Sequence, residues 1–230
     1  MIVGDLLEPG DFVVLVTPID SAAPKGRVIL PQQQVIRDIL ESDAIVITCK
    51  EFELEHTLTN IGVKPKMVIT DSQAFGMVSK ITPADIPLTS FSILFARHKG
   101  DLVELVKGAK AIENLTEGDK VLIAEGCTHH RQKDDIGTVK IPKWLKEFTK
   151  KDFSFDHYAG HGFPENVDEY KLIIHCGACM LNEKEVLYRI KQARKKNIPI
   201  INYGVLIAYL HGIFDRALDL FPDAQKKYRE

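Results

Sequence analysis

Short apolar runs alternate with amphipathic stretches along the first 90 residues of the chain. The runs are typical of buried β-strands, and the stretches between them are typical of α-helices. The predicted strands span residues 12–18, 44–48 and 67–70. The predicted helices span residues 31–40 and 51–60.

The segment from residue 81 to residue 89 interrupts this order. It contains Pro83 and Pro87, which stop a helix and leave little capacity for the hydrogen bonds of a sheet. We therefore expect a domain boundary near residue 90, with one domain over residues 1–90 and a second over residues 91–230.

The same alternation continues through the second half. The predicted strands span residues 92–96, 120–124, 153–157, 172–174 and 198–202. The predicted helices span residues 141–150 and 205–220, and two more follow Asp101 and Asn182. Each of these two residues has a glutamate three positions on, which is the spacing of a helix N-terminal cap.

Strands alternating with helices predict an α/β protein of two small domains, with mainly parallel sheets and right-handed crossovers. The carboxyl ends of parallel strands meet at one edge of a sheet, and open α/β sheets bind ligands there. Four segments are expected around that edge in the second domain: residues 97–99, 127–129, 175–176 and 202–203.

Composition narrows the class of protein. The chain has 230 residues, 27% of them charged, and a formal net charge of −2. This balance gives no reason to expect binding to nucleic acid or to an anionic membrane surface. The apolar runs are far shorter than the roughly 20 residues of a membrane span, and the N-terminus lacks the pattern of a signal peptide. We therefore expect a cytoplasmic protein with reduced cysteines.

Three of the four cysteines follow predicted strands. Cys127 follows one strand, and Cys176 and Cys179 follow another. If these two strands are parallel neighbours, the three thiols converge at one sheet edge. Cys49 ends an apolar strand in the first domain, and we expect it to be a buried structural thiol.

Three converging thiols favour a metal site. A Cys-x-x-Cys pair alone serves zinc sites, iron–sulfur clusters and dithiol redox enzymes, but a redox dithiol has no use for a third cysteine on another strand. Zinc bound by the three cysteines with His129 or His175 stays open. An iron–sulfur cluster is favoured, because the ligands lie on loops at a sheet edge and a fold of this size does not need zinc to hold it together.

The cysteine motifs resemble those of a known family. Cys127-Thr128-His129, followed after 45 residues by His175-Cys176-Gly177-Ala178-Cys179, resembles the signature of HydF, the maturation GTPase of [FeFe]-hydrogenase. The likeness extends to residues 162–165, 180–182 and 200–205. Residues 18–27 resemble the dimerisation domain of that family, so that essentially the whole chain is covered.

The resemblance implies a cofactor, a cargo and partners. Cys127, Cys176 and Cys179 would bind three irons of a [4Fe-4S] cluster, which leaves the fourth iron with an exchangeable ligand. The family is a scaffold for a two-iron precursor that bears carbon monoxide and cyanide. The radical-SAM maturases HydE and HydG would supply this precursor, and apo-[FeFe]-hydrogenase would receive it. A homodimer is expected, formed through an exposed edge strand of the first domain.

The resemblance also adds candidate site residues. His129 and His175 match the motif, although a histidine beside a metal often orients a ligand instead of binding the metal. Asp20 is a candidate carboxylate for the fourth iron, and a turn-capping role is the competing interpretation. The precursor is anionic, so we expect a basic rim around it. The candidates for this rim are Arg97, His98, Lys99 and Arg131.

One feature of the family is missing from the sequence. HydF proteins begin with a GTP-binding domain, and the chain contains no Gly-x-x-x-x-Gly-Lys-Ser/Thr phosphate loop. We therefore expect a truncated chain, or one that naturally lacks this domain, and we assign no enzyme activity to it. Two alternatives stay open, namely a cluster-dependent lyase that uses the open iron as a Lewis acid and a zinc-binding interaction module.

Overall fold

In a computed structural model, the described part of the chain comprises residues 1–19, 28–126 and 135–230. The strands are β1 (Phe12–Val16), β2 (Ile45–Cys49), β3 (Met67–Thr70), β4 (Leu88–Ser90), β5 (Lys120–Glu125), β6 (Ser154–Ala159), β7 (Leu172–His175) and β8 (Ile200–Asn202). The helices are α1 (Leu30–Glu41), α2 (Leu54–Asn60), α3 (Phe75–Ile81), α4 (Phe91–Lys99), α5 (Leu102–Lys107), α6 (Ile141–Thr149), α7 (Glu183–Lys195), α8 (Tyr203–Leu210), α9 (Phe214–Ala217) and α10 (Pro222–Arg229). None of these helices has the length and apolar character that crossing a membrane requires.

The strands form two sheets of four, and all of their pairs are parallel. The first sheet has the order β2-β1-β3-β4, and the second has the order β6-β5-β7-β8. The predicted α/β fold with parallel sheets is therefore confirmed. Both sheets have the same connectivity, in which the second strand lies on one side of the first strand and the later strands lie on the other side.

This connectivity creates a ligand-binding position in the second sheet. β5 and β7 are neighbours, with Ala124 opposite His175 in the register. The chain leaves β5 towards β6 on one side, whereas β7 and β8 lie on the other side. The carboxyl ends of β5 and β7 therefore flank the point where the strand order reverses, which is where open α/β sheets bind ligands.

The predicted strand over residues 92–96 is wrong, because these residues lie in helix α4. Ser90 caps this helix, since its Oγ atom accepts a hydrogen bond from the backbone N–H of Ile93 at 3.2 Å. Phe91 and residues 93–96 are buried. A short run of apolar residues buried on all sides suits a helix as well as a strand, and periodicity alone does not separate the two.

β4 forms in spite of the two prolines that precede it. Pro87 contributes its carbonyl oxygen to the sheet, where it accepts a hydrogen bond from the backbone N–H of Val68 at 2.9 Å. The N–H group that proline lacks is not required in this contact. Little sheet pairing was expected for residues 81–89, whereas residues 88–90 form the short edge strand β4.

The two predicted helix caps are present. The side chain of Asp101 accepts a hydrogen bond from the backbone N–H of Glu104 at 3.0 Å and begins α5. The side chain of Asn182 accepts one from the backbone N–H of Glu185 at 2.9 Å and begins α7. The second cap fixes the end of the Cys176–Cys179 loop, which lies directly before it.

In the sequence, helix α4 follows the last strand of the first sheet and precedes the first strand of the second. In the structure it contacts elements of both halves. Arg97, in its last turn, forms an ion pair with Asp5 near the N-terminus. Near its start, Ser92 accepts a hydrogen bond at its backbone oxygen from the side chain of Asn202, at 2.9 Å. The first sheet ends directly before α4 and the second begins after it, whereas the domain boundary near residue 90 stays a prediction.

Candidate metal centre

The Cys176–Cys179 loop follows β7 at the point where the strand order of the second sheet reverses. The backbone N–H of Cys176 donates a hydrogen bond to the carbonyl of Ala124 in β5, at 2.9 Å. Gly126, the last described residue after β5, lies directly beside Cys176. The strand arrangement on which the predicted cysteine site depends is therefore present.

Four of the predicted site residues lie outside the described residues. They are Asp20, Cys127, His129 and Arg131. Cys127 follows Gly126 in the sequence, and Gly126 is described. Its side chain and those of the other three are not part of the geometry below.

Two backbone N–H groups point at the sulfur atom of Cys176. Gly126 donates to this Sγ atom at 3.1 Å, and Ala178 donates to it at 3.4 Å. Cys176 and Cys179 are both partly exposed, and no disulfide links the cysteines of the described residues. Hydrogen bonds of this kind stabilise the anionic form of sulfur, which is the form that binds metals.

The loop between the two cysteines has a tightly constrained backbone. Ala178 has a φ angle of +57°, in the left-handed region that non-glycine residues rarely adopt. At Gly177, an added Cβ atom would lie 3.3 Å from the hydroxyl oxygen of Ser92 in α4. The loop is therefore pressed against α4, and the position between the cysteines has little room for a side chain.

Lys99 contacts this loop directly. Its Nζ atom donates hydrogen bonds to three backbone carbonyls, namely those of Ala178 at 3.3 Å, Cys179 at 3.2 Å and Leu181 at 2.9 Å. Burial lowers the pKa of Lys99 from its usual value, and the neighbouring Cys179 opposes this change. The sequence prediction placed Lys99 at a strand end, whereas it ends helix α4 and reaches the loop from there.

The other two described residues of the predicted basic rim have different contacts. The guanidinium of Arg97 is paired with Asp5, and it also donates to the carbonyl of Ile2 at 3.3 Å. The exposed ring of His98 lies edge-on to Phe95, with 6.2 Å between the ring centroids. Of the three consecutive basic residues that end α4, Lys99 is the one that donates hydrogen bonds to the cysteine loop.

His175 is buried directly before Cys176. Its Nδ1 atom lies 2.8 Å from the carbonyl oxygen of Cys176, and its Nε2 atom lies 3.3 Å from a guanidinium nitrogen of Arg189. Burial is the main reason that the pKa of His175 falls to about 4, and the charge of Arg189 lowers it further. Both ring nitrogens of the neutral side chain are therefore used in contacts within the protein.

Arg189 was not singled out from the sequence, and it connects the ends of β5 and β7 with the segment after β6. Its fully buried side chain donates to Gly160 after β6 at 2.5 Å and to the carbonyl of Glu125 in β5 at 3.4 Å. It also pairs with Glu185, one turn earlier on α7, at 3.0 Å. The sequence does contain a signal for the burial of Arg189, because position 189 is three residues after the apolar Val186 and therefore lies on the same face of α7.

Glu125 is a second buried polar residue that the sequence did not mark as functional. It is the last residue of β5, and its carboxylate accepts a hydrogen bond from the hydroxyl of Tyr203 at 3.1 Å. Burial, with Glu125 as the next cause, raises the pKa of Tyr203 far above its usual value. The buried carboxylate of Glu125, two residues before Cys127 in the chain, is therefore in contact with a neutral phenol.

The chemistry of these groups fits a thiolate-bound metal. Soft thiolate ligands suit zinc and iron–sulfur clusters, and the sulfur of Cys176 is held by N–H donors from both strand ends. Within residues 1–19, 28–126 and 135–230, no group of three or more His, Cys, Asp or Glu side chains converges on one point. A third thiol ligand would have to come from Cys127, which follows Gly126.

Two family models match the chain, and together they cover nearly all of it. The model described as the hydrogen maturase F dimerization domain matches residues 2–100. The model described as the hydrogen maturase F tetramerization domain matches residues 103–220. The second description names an oligomerisation role for the half that contains the cysteines, which the sequence analysis had not anticipated.

Comparison with curated proteins and with solved structures gives no further indication of function. No curated protein matches the chain. An NtrC-family transcriptional regulator from Clostridium acetobutylicum superposes with a TM-score of 0.28 at 12% identity, covering 92% of this chain and 96% of that one. An ABC domain in complex with L-Trp, from Streptococcus pneumonia, gives a TM-score of 0.30 at 10% identity, covering 90% and 81%. These superpositions are too loose to carry an argument.

Proposed function

The chain belongs to the hydrogen maturase F family, and we propose that it is a scaffold that binds a [4Fe-4S] cluster and carries a two-iron precursor during [FeFe]-hydrogenase maturation. The observation that carries this proposal is the position of Cys176. Its sulfur lies where the second sheet reverses its strand order and accepts two backbone hydrogen bonds. The neighbouring strand end leads directly into Cys127.

The proposed ligands are Cys127, Cys176 and Cys179. Three thiolates hold three irons of a cubane cluster, and when bound the cluster supplies a fourth iron whose remaining ligand is exchangeable. His129, Asp20 and water are the proposed occupants of that position before the cargo arrives. His175 is less suited to it, because its two ring nitrogens already contact Arg189 and the carbonyl of Cys176.

The proposed cargo is an anionic two-iron unit with carbon monoxide and cyanide ligands. HydE and HydG are its proposed sources, and apo-[FeFe]-hydrogenase is its proposed acceptor. Positive charge around the cluster would favour an anionic cargo, and His98 and Arg131 remain the candidates for direct contact with it. Arg97 is paired with Asp5, and Lys99 is bonded to backbone carbonyls, so their charges act at a distance.

The proposed scaffold carries out no chemical step of its own. Its residues hold the cluster, shape the loops around it and present an open position to the cargo. Release to the hydrogenase then needs only that the bond between cargo and scaffold is labile. We therefore place the chain among carriers and not among lyases, for which a general base and a substrate clamp would be needed.

A homodimer through β2 is part of the proposal. Among the strands of the described residues, β2 lies at one end of the first sheet and pairs only with β1, and Ile45 at its start is 42% exposed. An edge strand with exposed apolar residues is suited to pairing with a second copy of itself. β4, at the other end of the sheet, is buried and less suited to this role.

Anaerobic reconstitution tests the cluster proposal. We expect the wild-type chain to take up about four irons and four sulfides and to give an electron paramagnetic resonance signal typical of a reduced [4Fe-4S] cluster. Alanine substitution of Cys127, Cys176 or Cys179 should each lower iron uptake severely. Cys49→Ala is the matched control, because Cys49 is buried in the first sheet. Stoichiometric zinc in anaerobically purified protein, with no uptake of iron, would overturn the proposal.

A further inference from the structure

Helix α4 runs alongside the whole of the Cys176–Cys179 loop, although the two belong to different family models. The dimerization model covers α4, and the tetramerization model covers the loop. At the start of the helix, Ser92 lies against Gly177. At its end, Lys99 reaches the carbonyls on the far side of the same loop. The first half of the protein therefore supplies one wall of the proposed metal centre.

The start of α4 is locked to the second sheet by hydrogen bonds. The hydroxyl of Ser92 accepts from the backbone N–H of Gly204 at 3.0 Å and from the side chain of Asn202 at 3.2 Å. A Cβ atom added at Gly204 would lie 2.8 Å from the Cβ atom of Ser92, so the two backbones are in close contact. The helix is therefore held against the end of β8, and the position of Lys99 is fixed relative to the second sheet.

Lys99 uses its full hydrogen-bonding capacity on the loop. An ammonium group has three N–H donors, and the three carbonyls of Ala178, Cys179 and Leu181 lie 2.9–3.3 Å from its nitrogen. The ammonium also lies over the ring of Phe95, 5.1 Å from the ring centroid. Such a group is ordered by its contacts and is not a mobile surface charge.

Three carbonyl oxygens that face one point repel each other unless a donor lies between them. In this loop the convergence is coupled to the left-handed backbone of Ala178, which by itself is unfavourable. The ammonium of Lys99 compensates for both effects, because charge-assisted hydrogen bonds are stronger than neutral ones. It also lies next to Cys179, where positive charge favours an anionic ligand.

We propose that Lys99 is the positioning residue through which the dimerisation half holds the Cys176–Cys179 loop in its metal-binding conformation. The expected effect of Lys99 on the cluster rests on the proposed cluster-binding function. Its expected effect on the conformation of the loop does not. The competing role is direct contact between Lys99 and the anionic cargo. In that case the loop and its cluster would be indifferent to the loss of the ammonium.

The test compares Lys99→Met with Lys107→Met. Lys107, on α5, is exposed, forms an ion pair with Glu104 and serves as the matched control. In the metal-free protein, backbone amides of residues 176–182 should exchange with deuterium about tenfold faster in the Lys99 variant than in wild type, and within about twofold of wild type in the control. After reconstitution, loss of iron to a chelator should also be about tenfold faster in the Lys99 variant.

Unchanged exchange and unchanged iron loss in Lys99→Met would overturn the proposal, and weaker cargo binding in that background would support the competing role. If Lys99→Met does not fold, Lys99→Gln takes its place, because it keeps part of the stem and two N–H donors but no charge. The same directions are expected for it, with smaller changes. If wild-type protein binds no cluster, the proposed function fails, whereas the exchange measurement still decides the role of Lys99.

Discussion

Arg189 donates a hydrogen bond to the Nε2 atom of His175 at 3.3 Å, and both side chains are buried. A guanidinium has no acceptor, so Nε2 must be the unprotonated nitrogen of the ring. The proton is then on Nδ1, which donates to the carbonyl of Cys176 at 2.8 Å. Binding of a metal by either nitrogen would require one of these contacts to break, so the histidine of the His-Cys-x-x-Cys motif is suited to shaping the loop.

Replacing Arg189 should destabilise the protein strongly. Arg189→Met keeps most of the side-chain volume but removes every donor, which leaves the buried carbonyl of Glu125 and the ring of His175 without this partner. Breaking a buried charged network by removing one member typically costs about 3–5 kcal/mol. We expect the free energy of unfolding to fall by about 3 kcal/mol, measured by urea denaturation.

Arg194→Met is the control for that change. Arg194 is on the same helix but exposed, and substitution of an exposed residue usually changes stability by less than about 0.5 kcal/mol. If the two variants had equal stability, the buried network around Arg189 would contribute nothing, and its role in joining the ends of β5 and β7 with Gly160 would be wrong.

The parts of the fold that depend on local rules could be predicted from the sequence. Buried parallel strands need continuous apolar runs, and the predicted strand at residues 67–70 has the same bounds as β3. Helix caps depend on residues three positions apart, and the caps at Asp101 and Asn182 are present. Alternation also predicts that the ends of these parallel strands open at one edge of the sheet, whereas the pairing of β5 with β7, on which the cysteine site depends, was a condition that the sequence left open.

The parts that depend on contacts distant in sequence could not be predicted. Residues 93–96 are all apolar and buried, so no periodicity distinguished a helix from a strand in this run. Contacts with residues distant in sequence decide in favour of helix α4. Arg97 and Lys99 were placed together at one edge, but one turns to Asp5 and the other to Leu181. Asp5 is 92 residues from Arg97 in the sequence, and Leu181 is 82 residues from Lys99, so no local pattern identifies these partners.

Gly126 should not tolerate a side chain. An added Cβ atom would lie 2.4 Å from the Cγ atom of the buried Leu181, which follows the cysteine loop. Overpacking of this kind typically costs about 1–3 kcal/mol. We expect Gly126→Ala to lower the free energy of unfolding in that range. It should also weaken cluster retention, because a backbone shift that relieves the clash would move the N–H group of residue 126 away from the sulfur of Cys176.

A double-mutant cycle with Leu181→Ala checks the cause. Leu181→Ala opens space where the new methyl group would lie, so Gly126→Ala should cost far less in that background than in wild type. The four proteins are compared by urea denaturation. Equal costs in both backgrounds would show that the two residues do not interact and would contradict the geometry.

The ion pair between Asp5 and Arg97 should make a small contribution to stability that depends on pH. The hydrogen bond from Arg97 is the main reason that the pKa of Asp5 lies below its usual value. The charged form is therefore favoured in the folded state, so the contribution is complete above the unfolded pKa of about 3.9 and disappears as the pH falls through the lower folded value. Because the pair is partly exposed, we expect a coupling energy of less than about 1 kcal/mol near pH 7.

A cycle of Asp5→Asn and Arg97→Met measures this coupling by denaturation at several pH values. The coupling should be constant between about pH 5 and pH 8 and should decrease as the pH falls below the unfolded pKa of about 3.9 and through the lower folded pKa. A coupling that persists when Asp5 is protonated would show that packing of the arginine, and not charge, joins the N-terminal turn to α4.

The open edge of β2 should be the dimer contact of the first half. The backbone N–H of Ile45 donates to the carbonyl of Asp11 at 2.7 Å, and the carbonyl of Cys49 accepts from Thr17 at 2.9 Å. Alternate residues of a strand direct their backbone groups to opposite sides. Since Ile45 and Cys49 face β1, the N–H of Thr48 must point away from the sheet, where a second copy of β2 can pair with it.

Thr48→Pro therefore removes a donor from the open edge and leaves the ladder between β1 and β2 intact, because proline is tolerated at an edge strand where its missing N–H faces outward. We expect this variant to remain folded by circular dichroism and to lose the dimer in size-exclusion chromatography with light scattering. Thr48→Val keeps the N–H group and is the control that should stay dimeric. A Thr48→Pro variant with wild-type mass in solution would place the dimer contact elsewhere, and the exposed Ile45 at the start of β2 would then need a different explanation.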